Sequence, residues 1–481
     1  MKTGMEHLKS GISSGRDKVI EVRDPQDGSL IASVPAADEE GMRKAIEAAV
    51  DVGVPTAAAM PVHRRAAILY RAAEIVRSRA EEFATTIARE GSKTIREARK
   101  EVTRCVETLR LSAEEARRIQ GETIPFDQMP GSEDRLGYYY RFPVGLIGAI
   151  TPFNDPLNLV AHKVGPAIAS GNAIIVKPAT ATPLSALKLW EALREAGLPD
   201  RVLTVVTGYG REVGNVLVQH PAVRMISFTG GLHAGLAIAR KAGIKKLSME
   251  LGSNSPAIVL RDADLEEAVE STVSGAFWAA GQNCLGVQRI YVESPLFDAF
   301  ADAFVRRAGQ YRVGDKLSEE TDMGPLISEE EAIRVESWVK EALDRGARLL
   351  LGGERRGAFY PPTVLAETPM ECKVAREEVF GPVVTLYRVS DLDEAVTRAN
   401  QVDYGLQAGV FTRDMERAFE AIRRLESGGV MINDSSDYRI DAMPFGGIKG
   451  SGLGREGVRF AIQEMTEMKV VCFRLGKVSP V

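Results

Sequence analysis

At 481 residues the chain exceeds what one hydrophobic core usually serves, which predicts two or more domains. Hydrophobic residues make up 44% and charged residues 26%, an ordinary globular balance, and no run reaches the ~18–20 uninterrupted apolar residues of a membrane-spanning helix. The net charge of -5 is spread over interleaved acidic and basic residues, which excludes the basic footprint of a nucleic-acid or anionic-membrane binder and leaves a small molecule as the expected partner.

The opening MKTGMEHLKSGISSGRDK (1–18) has basic residues but no apolar run behind them, so no secretory signal is expected and a cytoplasmic location is. Cysteines 105, 284, 372 and 472 stand far apart, with no CxxC pair and no histidine at ligand spacing. Neither a disulfide framework nor a structural metal site is expected.

From about 37 to 117, apolar residues recur at three and four, as in RRAAILYRAAEIVRSRAEEFATTIAREGS and IREARKEVTRCVETLRLSAEEAR, predicting a helical hairpin or small bundle. RLGYYYRFPVGLIGAITPFN (135–154) is aromatic and β-branched with Gly and Pro punctuation, and reads as a strand pair leading into an apolar strand. Next come short apolar runs, NAIIVKP (172–178), RVLTVVTG (201–208), RMISFTG (224–230) and SPAIVL (255–260), alternating with helical segments such as PLSALKLWEALREAG (183–197). That alternation predicts a parallel sheet covered on both faces. A second alternating region spans about 285 to 430, and EMKVVCFRL (467–475) closes the chain as an isolated strand, with no internal repeat or low-complexity tract.

Two segments have the form of a phosphate-binding turn. In VVTGYGREVG (205–214), with Gly210 and Gly214, and in FTGGLHAG (228–235), a strand runs into glycines and then a helix, which directs free backbone N–H groups at an anion. Neither is a GxGxxG fingerprint, and such turns also serve merely to bend a backbone. In AAGQNCLGVQR (279–289) the lone Cys284 sits among small and amide residues that let a substrate carbonyl approach the sulfur; it is either an activated nucleophile or a small buried hydrophobe. In SMELGSNSP (248–256) Glu250 stands in apolar surroundings, so it is either paired with a base or raised in pKa, as a general base near neutral pH must be.

Taken together, the chain resembles the aldehyde dehydrogenase superfamily over essentially its whole length. The resemblance runs in order through TPFN (151–154), VKPA (176–179), FTG (228–230), MELG (249–252), GQNC (281–284), EEVFGP (377–382) and PFGGIKGSGLGREG (444–457). It implies an α/β, aldehyde dehydrogenase-like fold. A parallel-sheet dinucleotide-binding domain would comprise 1–123 and 144–252, and an α/β catalytic domain 253–442. A closing segment (443–463) would return to the cofactor domain, and a small β oligomerisation extension (124–143 and 464–481) would make a homodimer or homotetramer.

The resemblance also assigns roles. Cys284 becomes the nucleophile that forms a thiohemiacetal and then a thioester, Asn154 the oxyanion donor together with the Cys284 N–H, and Glu250 the base for hydrolysis. NAD or NADP would be held by Thr151, Pro152, Phe153, Lys177, Ala179, Thr180, Gly210 and Gly214. Phe228, Thr229, Gly230, Gly231, Leu251, Glu378 and Phe380 would complete that site, with Glu378 on the nicotinamide ribose. Relatives that pass the acyl group to coenzyme A lack the glutamate, so Glu250 favours a free acid product.

Three departures bear on the cofactor. Thr180 stands where many NAD-preferring relatives place a glutamate, and with Lys177 nearby this favours NADP acceptance. Gly231 replaces the serine after FTG, and Ser253 replaces the second glycine of ELGG.

PFNDPLNLVAHKVGPAIASGN (152–172) and DYRIDAMPFGG (437–447) look most like relatives acting on lactaldehyde, phosphonoacetaldehyde and other small polar or anionic aldehydes. Arg104, Arg289 and Arg439 are the cations proposed for an anionic tail, with surface or interdomain ion pairs as their alternative. Asp155 beside Asn154 would oppose such a tail unless an arginine neutralises it, which keeps a neutral hydroxyaldehyde in play. A non-redox thioesterase or acyltransferase would leave Lys177 and Glu378 unexplained. A non-catalytic structural protein would not need Asn154, Glu250, Cys284 and Glu378 together.

Overall fold

The computed structural model describes residues 18–476; the opening segment (1–17) and the last residues of the C-terminal extension (477–481) lie outside the described residues. The chain begins with a hairpin, Val19–Arg23 against Leu30–Pro35, that sequence reading left unassigned. Five residues of alternating burial carry little signal beside the long helical tract that follows.

That tract forms Glu39–Ala48, Val54–Ala59, Val62–Ser78, Ala80–Glu90 and the helix α1, Ile95–Ala116. A capping box starts α1: Glu97 N–H donates to the Thr94 hydroxyl, and the Glu97 carboxylate accepts from Thr94 N–H at 2.8 Å. One face of α1 buries Ala98, Val102, Cys105 and Leu109 in the larger core, which makes Cys105 a packing residue.

Two parallel sheets follow. The first contains β1 (Leu146–Ile150), β2 (Ala173–Lys177), β3 (Leu203–Val205), β4 (Val223–Thr229) and β5 (Lys246–Glu250), in the spatial order β5-β4-β1-β2-β3. Helix α2 (Asn158–Ala169) connects β1 to β2 and is buried throughout, and α3 (Leu232–Ala242) connects β4 to β5. The short strand Gly452–Leu453 adds antiparallel to the edge of β5, so the closing segment returns to this sheet.

The second sheet contains β6 (Ser255–Val259), β7 (Val287–Glu293), β8 (Arg348–Leu351), β9 (Thr363–Ala366), β10 (Val383–Val389), β11 (Gln407–Phe411) and β12 (Gly429–Ile432), ordered β8-β9-β10-β7-β6-β11-β12. All pairings are parallel except β8 with β9. The central strands β6 and β7 are buried at every residue, as expected of strands covered on both faces.

The C-terminal strand is not isolated. Thr466–Arg474 pairs antiparallel with Arg135–Pro143 over nine residues, and Glu122–Ile124 completes a three-stranded sheet. The two strands are more than 300 residues apart, so their pairing is a tertiary event that local pattern does not disclose. Among the described residues no single helix is long and apolar enough to cross a membrane.

Thr94→Ala removes the buried half of the capping box that starts α1 and should cost about 1 kcal/mol of stability. The urea denaturation midpoint measures this, and an unchanged midpoint would show that the box contributes nothing.

Candidate active site

Five stretches named from sequence converge at the carboxyl ends of the first sheet. Thr151 to Asn154 follow β1, Lys177 ends β2, Gly210 and Gly214 follow β3, Thr229 ends β4 with Gly230 and Gly231 after it, and Glu250 ends β5. Strand order reverses at β1, and a crevice at the carboxyl ends of such a sheet is where α/β proteins take a ligand. Cys284 and Glu378 come from the other direction, preceding the amino ends of the parallel neighbours β7 and β10. Two sheets thus present their chemistry to one cleft.

Local backbone strain places Cys284. Ala279 (φ 51°), Ala280 (φ 56°) and Gly281 (φ 68°) are successive residues in the left-handed region, where a non-glycine residue costs roughly 1–3 kcal/mol. A methyl group on Gly281 would stand 2.1 Å from the Gly381 carbonyl oxygen, so the GQNC and EEVFGP segments touch backbone to backbone. Neighbours fix the turn: Ala279 N–H donates to Glu97 at 2.8 Å, and Gln282 accepts from Ile327 N–H at 2.9 Å and donates to the Ala279 carbonyl at 3.0 Å. Cys284 emerges half-buried.

Glu250 is buried, and among the described residues neither carboxylate oxygen has a hydrogen-bond partner. Its carbonyl accepts from Gly230 N–H at 3.0 Å, and its carboxylate lies under Gly446 of the closing loop, where a methyl group would come within 3.0 Å. Burial, then the negative charge of Glu456, raises its pKa well above the carboxylate range, against Arg439, Lys163 and Arg455. Burial also works against ionisation of Glu456, but Lys163 at 3.1 Å and Arg439 at 3.2 Å outweigh it and hold that carboxyl at about 2. Desolvation pushes the Cys284 thiol up to about 12; Arg439 pulls it down, while Glu378, Glu250 and Glu456 add to the rise.

The cofactor residues leave polar groups open. The buried hydroxyls of Thr151 and Thr229 have no partner. Lys177 donates only to the Pro178 carbonyl, at 2.8 Å, and burial lowers it to about 8, so it remains a cation at neutral pH. Thr180 donates to the Gly208 carbonyl at 3.4 Å, and Ala179 lies half-buried beside it. Gly231 precedes α3 with no side-chain cap, leaving first-turn N–H groups free for a phosphate.

Glu378 accepts from Ser253 N–H at 2.9 Å, and burial raises it to about 7. A methyl group on Gly252 would fall 2.2 Å from that carboxylate, so the glycine makes its space. The Ser253 hydroxyl bonds Ser255, which leaves its backbone N–H to do the work at the departure from ELGG. Phe153 and Phe380 meet edge to face at 5.6 Å, and Leu251 packs over Gly235. These groups fit a dinucleotide: a free cation and helix terminus for phosphate, and a carboxylate for ribose hydroxyls. Among the described residues no cluster of three or more His, Cys, Asp or Glu could hold a metal ion.

The arginines separate. Arg289 is a correction: it is fully buried on β7 and donates to the Asn254 side chain and carbonyl at 2.5 and 2.8 Å, to the Tyr291 hydroxyl at 2.7 Å, and to the carbonyls of Arg398 and Ala399. A central parallel strand is covered on both faces, so its guanidinium braces protein and cannot reach substrate. Arg439 lies with its guanidinium 3.7 Å from the Phe445 ring centre, bonds Glu456, and its charge lowers the pKa of Cys284. Arg104, one-third exposed, holds Asp441 at 2.7 Å and approaches Asp155 at 3.6 Å, while Asp155 is also paired with Lys93.

Four further residues belong to this network and were not singled out from sequence: His162, Lys163, Asp441 and Glu456. Asp441 accepts from His162 at 2.8 Å and Asn158 at 3.2 Å. Burial opposes its charge, yet His162 and Arg104 hold it ionised far below the usual range. The available signal was LVAHKVGPAIA, where a histidine and a lysine interrupt a helix that is otherwise apolar.

A cleft between two mainly parallel sheets, with open polar groups that fit a dinucleotide and with a thiol and a buried carboxyl beside them, is the arrangement of an α/β dinucleotide-binding protein. The chain matches the Aldehyde dehydrogenase family over residues 12–471, and it belongs to that family. It is 53% identical over 456 residues to aspartate-semialdehyde dehydrogenase 1 of Pseudomonas canavaninivorans, covering 95% of this chain and 97% of that protein. It is 47% identical over 444 residues to 3-sulfolactaldehyde dehydrogenase of Priestia aryabhattai, covering 92% of each. The structure superposes with a TM-score of 0.91 on glyceraldehyde-3-phosphate dehydrogenase GapN of Methanocaldococcus jannaschii complexed with NADP, at 41% identity, covering 96% of this chain and 100% of that one.

The high thiol pKa has a sign that can be read directly. Below pH 12 the Cys284 thiol is protonated, so its reactive thiolate fraction climbs as pH rises. Carbamidomethylation of Cys284, followed by mass spectrometry on the cofactor-free protein, should accelerate about tenfold per pH unit from pH 7 to 9. A plateau within that window would contradict the electrostatics described.

Proposed function

We propose that this protein oxidises a short aldehyde with a polar or charged tail to the free carboxylate, with NAD or NADP as hydride acceptor. The observation that carries the reading is Glu250: a buried carboxyl without a hydrogen-bond partner, raised in pKa, and close enough to Cys284 to shift the thiol. A carboxylate with a raised pKa takes up a proton more readily than an ordinary one, as water attack on an acyl group requires.

Cys284 attacks the aldehyde carbon, and the Asn154 amide and the Cys284 N–H hold the oxyanion. Lys177, the turn leading into α3 and Glu378 would hold a dinucleotide at the carboxyl ends of the first sheet, and that group would supply the hydride acceptor. The acyl group is then left on the Cys284 sulfur, Glu250 takes a proton from the attacking water, and the thiol is released with the carboxylate product. Arg439 lowers the thiol pKa and supports the thiolate, while Glu456, held ionised by Lys163, keeps Glu250 protonatable.

Lys177, free of any carboxylate, and the neutral Thr180 support acceptance of a 2′-phosphate, in keeping with the NADP in the GapN structure. Homodimer or homotetramer formation is supported by the three-stranded sheet, which leaves Leu136, Tyr138, Met468, Val470 and Phe473 exposed.

Glu250→Gln should release about one equivalent of reduced nicotinamide per site in a burst and then turn over at least about 100-fold more slowly, with Cys284→Ala as the control that gives no burst. Loss of the burst in Glu250→Gln would move Glu250 from hydrolysis to thiol activation. Thr180→Glu should lower kcat/KM for NADP relative to NAD by about tenfold or more, because it sets a carboxylate against the phosphate. An unchanged ratio would remove Thr180 from cofactor selection.

A further inference from the structure

Two glutamates of α1, one helical turn apart, each hold one of the segments that carry Asn154 and Cys284. Glu97 accepts from Ala279 N–H at 2.8 Å, in the turn that leads to Cys284. Glu101 takes the other segment: its Oε1 accepts from the N–H groups of Leu157 and Asn158 at 2.8 and 3.0 Å, where α2 begins just after Asn154. Residues at i and i+4 face the same side of a helix roughly 5–6 Å apart, so α1 sets the spacing of the two segments. Thr108, further along α1, adds to the hold by donating its hydroxyl to Asn158 Oδ1 at 2.8 Å.

The loop ahead of α1 repeats the arrangement. The Ser92 hydroxyl donates to the Gln282 side chain at 3.5 Å, and its neighbour Lys93 pairs with Asp155, next in sequence to Asn154. Lys93 also donates to Glu101 Oε2 at 2.8 Å, which ties the loop to the helix. On the far side, Phe153 meets Phe380 at 5.6 Å, and Gly381 lies against Gly281. Glu101 itself is buried, and among the described residues its hydrogen-bond partners are all donors: two backbone N–H groups and an ammonium. An ionised carboxylate accepts at both oxygens, whereas an amide would turn N–H bonds towards one of these donors. Leu157 has no side chain that can cap α2, so without Glu101 the N–H groups of Leu157 and Asn158 would be buried and unpaired.

We propose that Glu101 is a positioning residue for the oxyanion site. It fixes the segment carrying Asn154 against the Cys284 turn held by Glu97, so that the Asn154 amide and the Cys284 N–H are aimed at one oxygen. This rests on the roles proposed above for Cys284 and Asn154. A donor displaced by about 1 Å loses much of its effect on a developing charge, so Glu101 acts on the reaction through Asn154 without touching substrate.

The test uses the purified protein and p-nitrophenyl acetate, an activated ester that acylates a thiol without any nucleotide. Acylation of Cys284 passes through an oxyanion, whereas carbamidomethylation of the same sulfur forms none. Glu101→Gln should lower kcat/KM for the ester at least about tenfold, while carbamidomethylation of Cys284, read by mass spectrometry, stays within about twofold of wild type. On an Asn154→Ala background, Glu101→Gln should cost less than about twofold more, because its effect passes through Asn154. Thr108→Val keeps the side-chain size and should lower the ester rate about threefold or more with alkylation unchanged, which decides the matter should Glu101→Gln fail to fold. An unchanged ester rate in the folded variant, a parallel fall in alkylation, or full additivity with Asn154→Ala overturns the positioning role and leaves Cys284 and Asn154 in theirs. Full ester activity in Asn154→Ala, or none in the wild type, overturns those roles and this inference with them.

Discussion

The contact of Gly281 with Gly381 is the constraint on which the site depends. Three successive left-handed residues turn the chain so that Cys284 reaches the cleft, and only a residue without a side chain can pass the Gly381 carbonyl. The same contact sets the segment carrying Glu378 beside the segment carrying Cys284. The strain is held by α1 through Glu97, so a helix far away in sequence fixes the geometry of the thiol.

Burial then does the chemical work. Cys284, Glu250 and Glu378 are all shifted towards their neutral forms chiefly by loss of water, and the neighbouring charges decide how far. Lys163 and Arg439 spend their charge on Glu456, so Glu250 receives little direct compensation. One carboxyl of the pair is kept ionised and the other is left able to take up a proton. Such divergence between adjacent carboxyls is what acid–base work near neutral pH requires.

The cleft is assembled by two kinds of strand end. Carboxyl ends of the first sheet supply backbone N–H groups, Lys177 and Glu250, and amino ends of the second supply Cys284 and Glu378. Neither sheet carries the full set, so these residues come together only where the two sheets meet. The closing segment reaches both, pairing Gly452–Leu453 with β5 and Ile448–Lys449 with Tyr404–Gly405 just ahead of β11, and it covers Glu250 with Gly446.

The sequence by itself determined the elements whose signal is local: the helical tract of 37–117, the buried parallel strands, and the ordered motifs with their glycines. Local residues put Glu250 in apolar surroundings and Cys284 among small and amide neighbours, where it could equally be a buried hydrophobe; the ordered motifs of the family resemblance singled out Cys284 and supplied Glu378. Only the tertiary structure decided the arginines. Arg289 looked like Arg104 and Arg439 in sequence, but alternation along β7 turns it into a fully bonded interior, whereas Arg104 and Arg439 meet carboxylates from distant loops. Charge balance in a cleft depends on partners hundreds of residues apart, such as Arg104 with Asp441, and no periodicity or spacing records which carboxylate each cation will meet.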